Sequence, residues 1–174
     1  IAFLIAGLIY NLKPIRLKDV PFIDVLSESI NNPIRFMIGW TAVTIGNLPP
    51  TSLLFLTWSV GAMLMTAKRF DELRTLGSRL IPYRSTFSVY SLSVLRNCIF
   101  IYMALSIILS IYYCIYYQPQ LLKTLPIVIA YLIWLIFEVL TGKMNGRSIE
   151  EYVTSSKVVW ISLFAMLAGL ILAR

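Results

Sequence analysis

Long apolar runs, broken at intervals by short polar or Gly/Pro-rich stretches, set the pattern of this chain. A helix crossing hydrocarbon needs about 20 mostly apolar residues, and by that ruler the chain divides into six segments. The first, residues 1–11, reads as the tail of a helix. The others run over Asp24–Gly46, Pro50–Lys68, Val94–Tyr117, Leu121–Gly142 and Lys157–Ala173. Breakers fill the connectors GNLPP (46–50), QPQ (118–120) and GKMNGRS (142–148),. The runs are continuous and do not alternate, so barrel strands are a poor fit, and in lipid a segment must satisfy its own backbone N–H and C=O groups. The pattern therefore predicts an all-α, polytopic membrane helical bundle, with residues 1–174 as part of a single transmembrane domain.

Composition agrees. With 59% hydrophobic and 13% charged residues and a mean hydropathy of +0.81, the chain is too apolar for an ordinary water-facing surface. It opens inside an apolar run at Ile1 with no charged leader. The expectation is a fragment whose N-terminal helices lie upstream, and a signal peptide is argued neither way. There is no His, and Cys98 and Cys114 stand far apart in apolar sequence, a pattern of buried structural thiols and not of a zinc or haem site.

Charge then gives a direction. When the segments are threaded back and forth, one side holds Lys13, Arg16, Lys18, Lys68, Arg69, Arg74, Arg79, Arg84, Arg96, Lys143, Arg147 and Lys157, twelve of the 15 basic residues. The other side holds Lys123 and Arg174, and Arg35 lies within the second segment. By the positive-inside rule the rich side is cytoplasmic, with Arg174 outside. The net charge of +7 thus follows topology, and nucleic acid is not implied as a partner.

Polar residues inside the apolar segments need a reason. Asp24, Glu28, Asn31, Asn32, Arg35 and Gly39 recur every three or four residues, which places them on one helical face. Such a stripe either neutralises itself, Asp24 or Glu28 pairing with Arg35 or with another helix, or lines a cavity. Pro33 is expected to kink this helix and free backbone carbonyls. The third segment runs on as AKRFDELRTL, where Lys68 faces Asp71 and Glu72 at helical spacing. Bases beside acids at a cytosolic mouth suit a phosphorylated ligand: the cations donate to phosphate oxygens and the carboxylates hold a bridging Mg²⁺.

Other features have plainer readings. The connector 75–93, with Arg79, Tyr83, Arg84 and Tyr90, has the length of a functional lid or a disordered loop. Glu138 either snorkels to the cytosolic interface or takes part in catalysis. Tyr112, Tyr113, Tyr116 and Tyr117 form an aromatic belt at the outer end of their segment, and Ala165 with Gly169 makes a small-residue packing pair.

The stretch YNLKPIRLKDVPFIDVLSESINNPIRFMIGW (10–40) carries a Tyr closing one helix, a Lys in the following loop, then an Asp opening a helix that bears an Arg and a Gly: Tyr10, Lys18, Asp24, Arg35 and Gly39. In this it resembles the UbiA superfamily of intramembrane prenyltransferases, in the region joining the fourth and fifth helices. GAMLMTAKRFDELRTL and YRSTFSVY resemble the sixth helix and its extension in the branch that includes decaprenyl-phosphate phosphoribosyltransferase. The run Lys68, Arg69, Glu72, Leu73 and the later Arg84 and Tyr90 carry that match. The likeness covers residues 1–96 by motif and the remainder by hydropathy only.

The resemblance implies a nine-helix fold of which this chain supplies helices four to nine, with the site on the cytoplasmic side. It implies a Mg²⁺-dependent transferase acting between a polyprenyl phosphate or diphosphate lipid and a diphosphate-containing co-substrate. The reaction is either prenyl transfer or phosphoribosyl transfer from phosphoribosyl diphosphate. The residues it marks are Asp24, Asp71 and Glu72 for catalysis, with Asp71 and Glu72 on the metal. Tyr10, Lys18, Arg35, Lys68, Arg69, Arg84 and Tyr90 would be on phosphate. The first aspartate-rich motif of the family belongs to a helix that precedes Ile1. The second, DxxxD, is replaced by Lys68 to Glu72. A transporter with the Asp24 stripe along its path, and a catalytically inactive scaffold, are the competing readings.

Overall fold

The computed structural model describes residues 1–44, 46–80, 82, 84–143 and 149–172. Eight α-helices carry these residues, and no strand occurs among them: α1 (Ala2–Asn11), α2 (Ile23–Ser29), α3 (Asn31–Val43), α4 (Thr51–Leu76), α5 (Leu92–Tyr116), α6 (Leu125–Thr141), α7 (Ile149–Ser155) and α8 (Lys157–Leu172). The chain is all-α. One helix, α5, is long and apolar enough to cross a membrane, and α1 and α6 are shorter apolar helices. Of α5's 25 residues only Leu95, Ile99, Ser106 and Cys114 are buried, so most of its apolar surface is uncovered.

The second predicted segment is divided. Instead of one helix from Asp24 to Gly46, α2 ends at Ser29 and α3 begins at Asn31, with Ile30 between them. The expected break at Pro33 is thus displaced one turn upstream, because proline removes the N–H that would bond the carbonyl four residues earlier. That carbonyl belongs to Ser29, and the Asn32 side-chain amide donates to it instead at 3.2 Å. The third segment behaves as its charge pattern suggests and continues beyond Lys68 as far as Leu76.

The core lies where α4, α5 and α6 meet. Met63, Ala67 and Phe70 of α4 pack with Leu95 and Ile99 of α5 and with Leu132, Ile136 and Val139 of α6. Ser59 and Ser106 share a hydrogen bond of 2.9 Å across the α4–α5 contact, a polar bond of the kind that joins helices where water is absent. On the other flank, Asn32 of α3 presses against Gly61, where even a methyl group would meet its amide nitrogen at 1.9 Å.

The connector after α4 is ordered in its described residues. It winds into two 3₁₀ turns, Gly77–Leu80 and Ser85–Ser88, and Phe87 and Tyr90 enter the core. Apolar side chains in a polar-looking stretch account for this: their burial outweighs the length of the loop. Tyr83, Arg147 and Arg174 lie outside the described residues, as do the surroundings of Gly169.

Candidate functional site

A buried ionic cluster forms where α2 meets the extension of α4. Asp24 opens α2 and is fully buried, and Arg69, one residue beyond Lys68 on α4, is 4% exposed. Each nitrogen of the Arg69 guanidinium serves a different carboxylate: Nε to Asp24 at 3.3 Å, Nη2 to Glu28 at 3.3 Å and Nη1 to Glu72 at 2.7 Å. The planar fork of arginine suits this, since its donors point outward in fixed directions. A helical period puts Asp24 and Glu28 on one face of α2, and the i, i+3 spacing does the same for Arg69 and Glu72 on α4.

Two tyrosines and a second arginine close the cluster. The Tyr10 hydroxyl donates to Glu28 at 2.7 Å and accepts from Arg84 Nη2. The Tyr90 hydroxyl donates to Asp24 and accepts from the Phe22 backbone N–H at 2.8 Å. Burial, then the bond to Asp24, holds the Tyr90 phenol well above its ordinary pKa, so it stays a proton donor at any working pH. Arg84 Nε lies 4.0 Å from Asp24 and donates to the Lys18 carbonyl at 3.2 Å. With three carboxylates and two guanidiniums, the cluster is close to self-neutralised, as burial demands.

Of the residues singled out in the sequence, Tyr10, Asp24, Arg69, Glu72, Arg84 and Tyr90 are thereby brought together, joined by the backbone of Lys18. The Lys18 ammonium itself turns to Asn11 at 3.2 Å. Lys68 is half-buried and makes no ion pair or hydrogen bond among the described residues, which leaves its charge available. Arg35 stands apart: it is exposed, its guanidinium lies 5.3 Å from the Phe3 ring centre, and Asp24 takes Arg69 as its partner in place of Arg35.

Asp71 and Glu72 do not converge either. Neighbours on a helix diverge by about 100°; Glu72 turns to Arg69, while Asp71 is buried at 7% exposure beside Arg74, on the flank that meets α6. Among the described residues no group of three or more acids, cysteines or histidines is placed to hold a metal ion. Of the expected Asp71–Glu72 pair, Glu72 is thus committed to Arg69 in this arrangement.

Burial raises the pKa of Asp71, with Arg74 opposing and Glu72 adding to the shift. The folded chain thus holds this proton more tightly than the unfolded one does. Its contribution to stability is full below the ordinary carboxylate range and is lost as pH rises through the raised value. Asp71→Asn, which mimics the protonated form, is expected to flatten that part of the slope when melting is followed against pH in detergent. An unchanged profile would count against the burial of this carboxylate.

Sequence reasoning missed two features. One is the role of Glu28, whose spacing from Asp24 placed it on the stripe but did not show that it shares Arg69. The other is a second knot on α6, where Glu138 accepts from Lys143 at 3.0 Å and from Tyr152 at 2.6 Å. Glu138 is buried and tied to these partners, so it does not reach out to the interface as a snorkelling side chain does.

An apolar groove of about 550 Å³ is lined by Leu26, Ile30, Pro33, Thr51, Leu54, Phe55 and Trp58, none of them a member of the cluster. A second groove of about 360 Å³ shares Pro33 and Leu54 with it and extends to Phe3 and Met37.

Comparison with family models, with curated proteins and with solved structures found no match to this chain.

Proposed function

We propose that this chain is part of a polytopic membrane transferase of the UbiA type, which moves a group between a polyprenyl phosphate or diphosphate lipid and a diphosphate-activated partner. The observation that carries the reading is the convergence of Tyr10, Asp24, Arg69, Glu72, Arg84 and Tyr90, drawn from the two stretches that resemble that superfamily, in one buried cluster. The apolar groove lined by Leu26, Ile30 and Phe55 is proposed for the hydrocarbon chain, and Lys68, which precedes Arg69 on α4 and makes no ion pair or hydrogen bond among the described residues, is the cation proposed for its phosphate. Charge building on a leaving diphosphate is stabilised by positive groups set in advance in a dry site. Arg69 contributes by holding three carboxylates in place, since its own donors are already taken.

The bilayer as solvent, several spans and a cytoplasmic site belong to the same proposal, supported by the basic-residue asymmetry and by the uncovered apolar surface of α5. The Lys68, Arg69, Glu72, Leu73 run favours the phosphoribosyltransferase-like branch. Mg²⁺ enters as the cofactor that the resemblance implies, and no step is assigned to it.

The test is a transfer assay on membranes containing the protein, with Mg²⁺, radiolabelled prenyl diphosphate or phosphoribosyl diphosphate, and a polyprenyl phosphate or aromatic acceptor. Labelled lipid product is expected. Asp24→Asn and Lys68→Ala are each expected to lower turnover by about 100-fold, the scale of losing a group that stabilises transition-state charge. Turnover unchanged by either substitution would remove these residues from the site, and a channel-like solute flux without transfer would replace the reading with transport.

A further inference from the structure

We infer that Tyr90 is a positioning residue: through one hydroxyl it holds the strained entry of α2 and so sets the Asp24 carboxylate against Arg69. The geometry is that of a clasp. Phe22 immediately precedes α2 with φ +66° and ψ −38°, at the centre of a tight turn closed by the Ile23 N–H on the Pro21 carbonyl at 2.8 Å, a positive-φ conformation that a bulky side chain avoids and that persists only when its surroundings impose it. The Phe22 amide, at the end of a helix where intrahelical acceptors run out, donates to the Tyr90 hydroxyl at 2.8 Å. That hydroxyl in turn donates a hydrogen bond to Asp24, two residues on.

The ring is fixed as firmly as the hydroxyl. Tyr90 is 6% exposed, with Phe22 edge-on at 5.3 Å and Phe87 edge-on at 6.1 Å. The same connector grips the segment before α2 at two earlier points, Arg84 Nε on the Lys18 carbonyl at 3.2 Å and Ser85 Oγ on the Asp19 carbonyl at 3.3 Å. Residues 84, 85 and 90 thus meet 18, 19 and 22 in order, and the strap ends on the hydroxyl that touches Asp24. A phosphate-binding role for Tyr90 would need this hydroxyl free, whereas both its donor and an acceptor position are in use.

The inference concerns the same cluster as the proposed transfer site, but it stands on geometry and is tested without transfer activity, so the two can fail separately. Tyr90→Phe keeps the ring and deletes the hydroxyl. In the whole chain in detergent, hydrogen exchange at residues 22–24 is expected to quicken by about tenfold or more, the scale of a lost bond to a charged group, while the amides of Leu95 and Ile99 in the α5 core stay within about twofold. The infrared carboxylate band of Asp24, isolated by difference against Asp24→Asn, is expected to shift in Tyr90→Phe to that of a carboxylate with one donor fewer. Asp24→Asn itself should leave the Phe22 amide slow, because Tyr90 keeps that contact. No local change in Tyr90→Phe, an equal rise across α5, or an Asp24→Asn that frees the Phe22 amide as much as Tyr90→Phe does would each overturn the inference.

Discussion

Arg69→Met is expected to destabilise the folded chain by about 3–5 kcal/mol, the cost of removing one partner from a buried ion pair and leaving the other charge uncompensated. Asp24 is fully buried and cannot recover water, and Arg84, at 4.0 Å from it, is too distant to replace a direct partner. Glu28 and Glu72 retain about 30% side-chain exposure (31% and 29%), so they can turn outward and account for less of the loss. Adding Asp24→Asn to Arg69→Met should therefore recover a large share of the stability, since the stranded charge is gone. Arg69→Lys should fall between, because a point charge cannot serve three carboxylates lying in three directions. Denaturant melts in detergent, run as a double-substitution cycle, measure all three. An Arg69→Met chain within about 1 kcal/mol of the parent, below the range for a broken buried pair, would mean that the cluster is open to water.

The second large effect is expected at the end of α6. Gly142 adopts φ +76° and closes α6 with a reciprocal pair of backbone bonds, Gly142 N–H to the Val139 carbonyl at 3.1 Å and Lys143 N–H to the Glu138 carbonyl at 3.2 Å. This is the motif in which glycine is favoured for want of a Cβ. The Arg74 guanidinium lies over the same residue, 2.6 Å from where a Cβ would stand, and donates to the carbonyls of Leu140 at 2.5 Å and Thr141 at 3.2 Å. Gly142→Ala is thus expected to cost about 2 kcal/mol, most of it from the left-handed backbone. The displacement of Arg74 adds less, because that side chain is exposed and can move. In an Arg74→Ala background the same substitution should cost less, and strictly additive losses would show that the two residues are not coupled.

The two effects differ in how far they could be read beforehand. Gly142 stands in a Gly-rich connector after an apolar run, where a helix end is expected, and α6 does stop there. Asp24 and Glu28 were legible as one face, because helical spacing is a local property, but the expected stripe does not extend to Arg35, which the break at Ile30 places on a separate helix. The partner of Asp24 was not legible. Asp24 chooses Arg69, 45 residues away, and Arg35 is left over the Phe3 ring, a choice made by which helices pack together. For the same reason the partner of Glu72 was not legible: it turns to Arg69 at 2.7 Å. In the connector 75–93 length and polarity speak for a loose loop, and only the tertiary structure shows that Phe87 and Tyr90 are drawn into the core.

What the amino-acid sequence by itself determined is the helical class, the approximate ends of most helices and the continuation of α4 past Lys68. All of these depend on hydrophobic period and on chain breakers acting within a few residues. It also marked most members of the polar cluster, because charged groups in apolar surroundings are few and costly. The tertiary structure alone decided how they pair. Three carboxylates settle on one guanidinium, and one tyrosine hydroxyl bridges a strained turn to Asp24, since buried charges and unmet backbone donors take the partners that folding brings within reach.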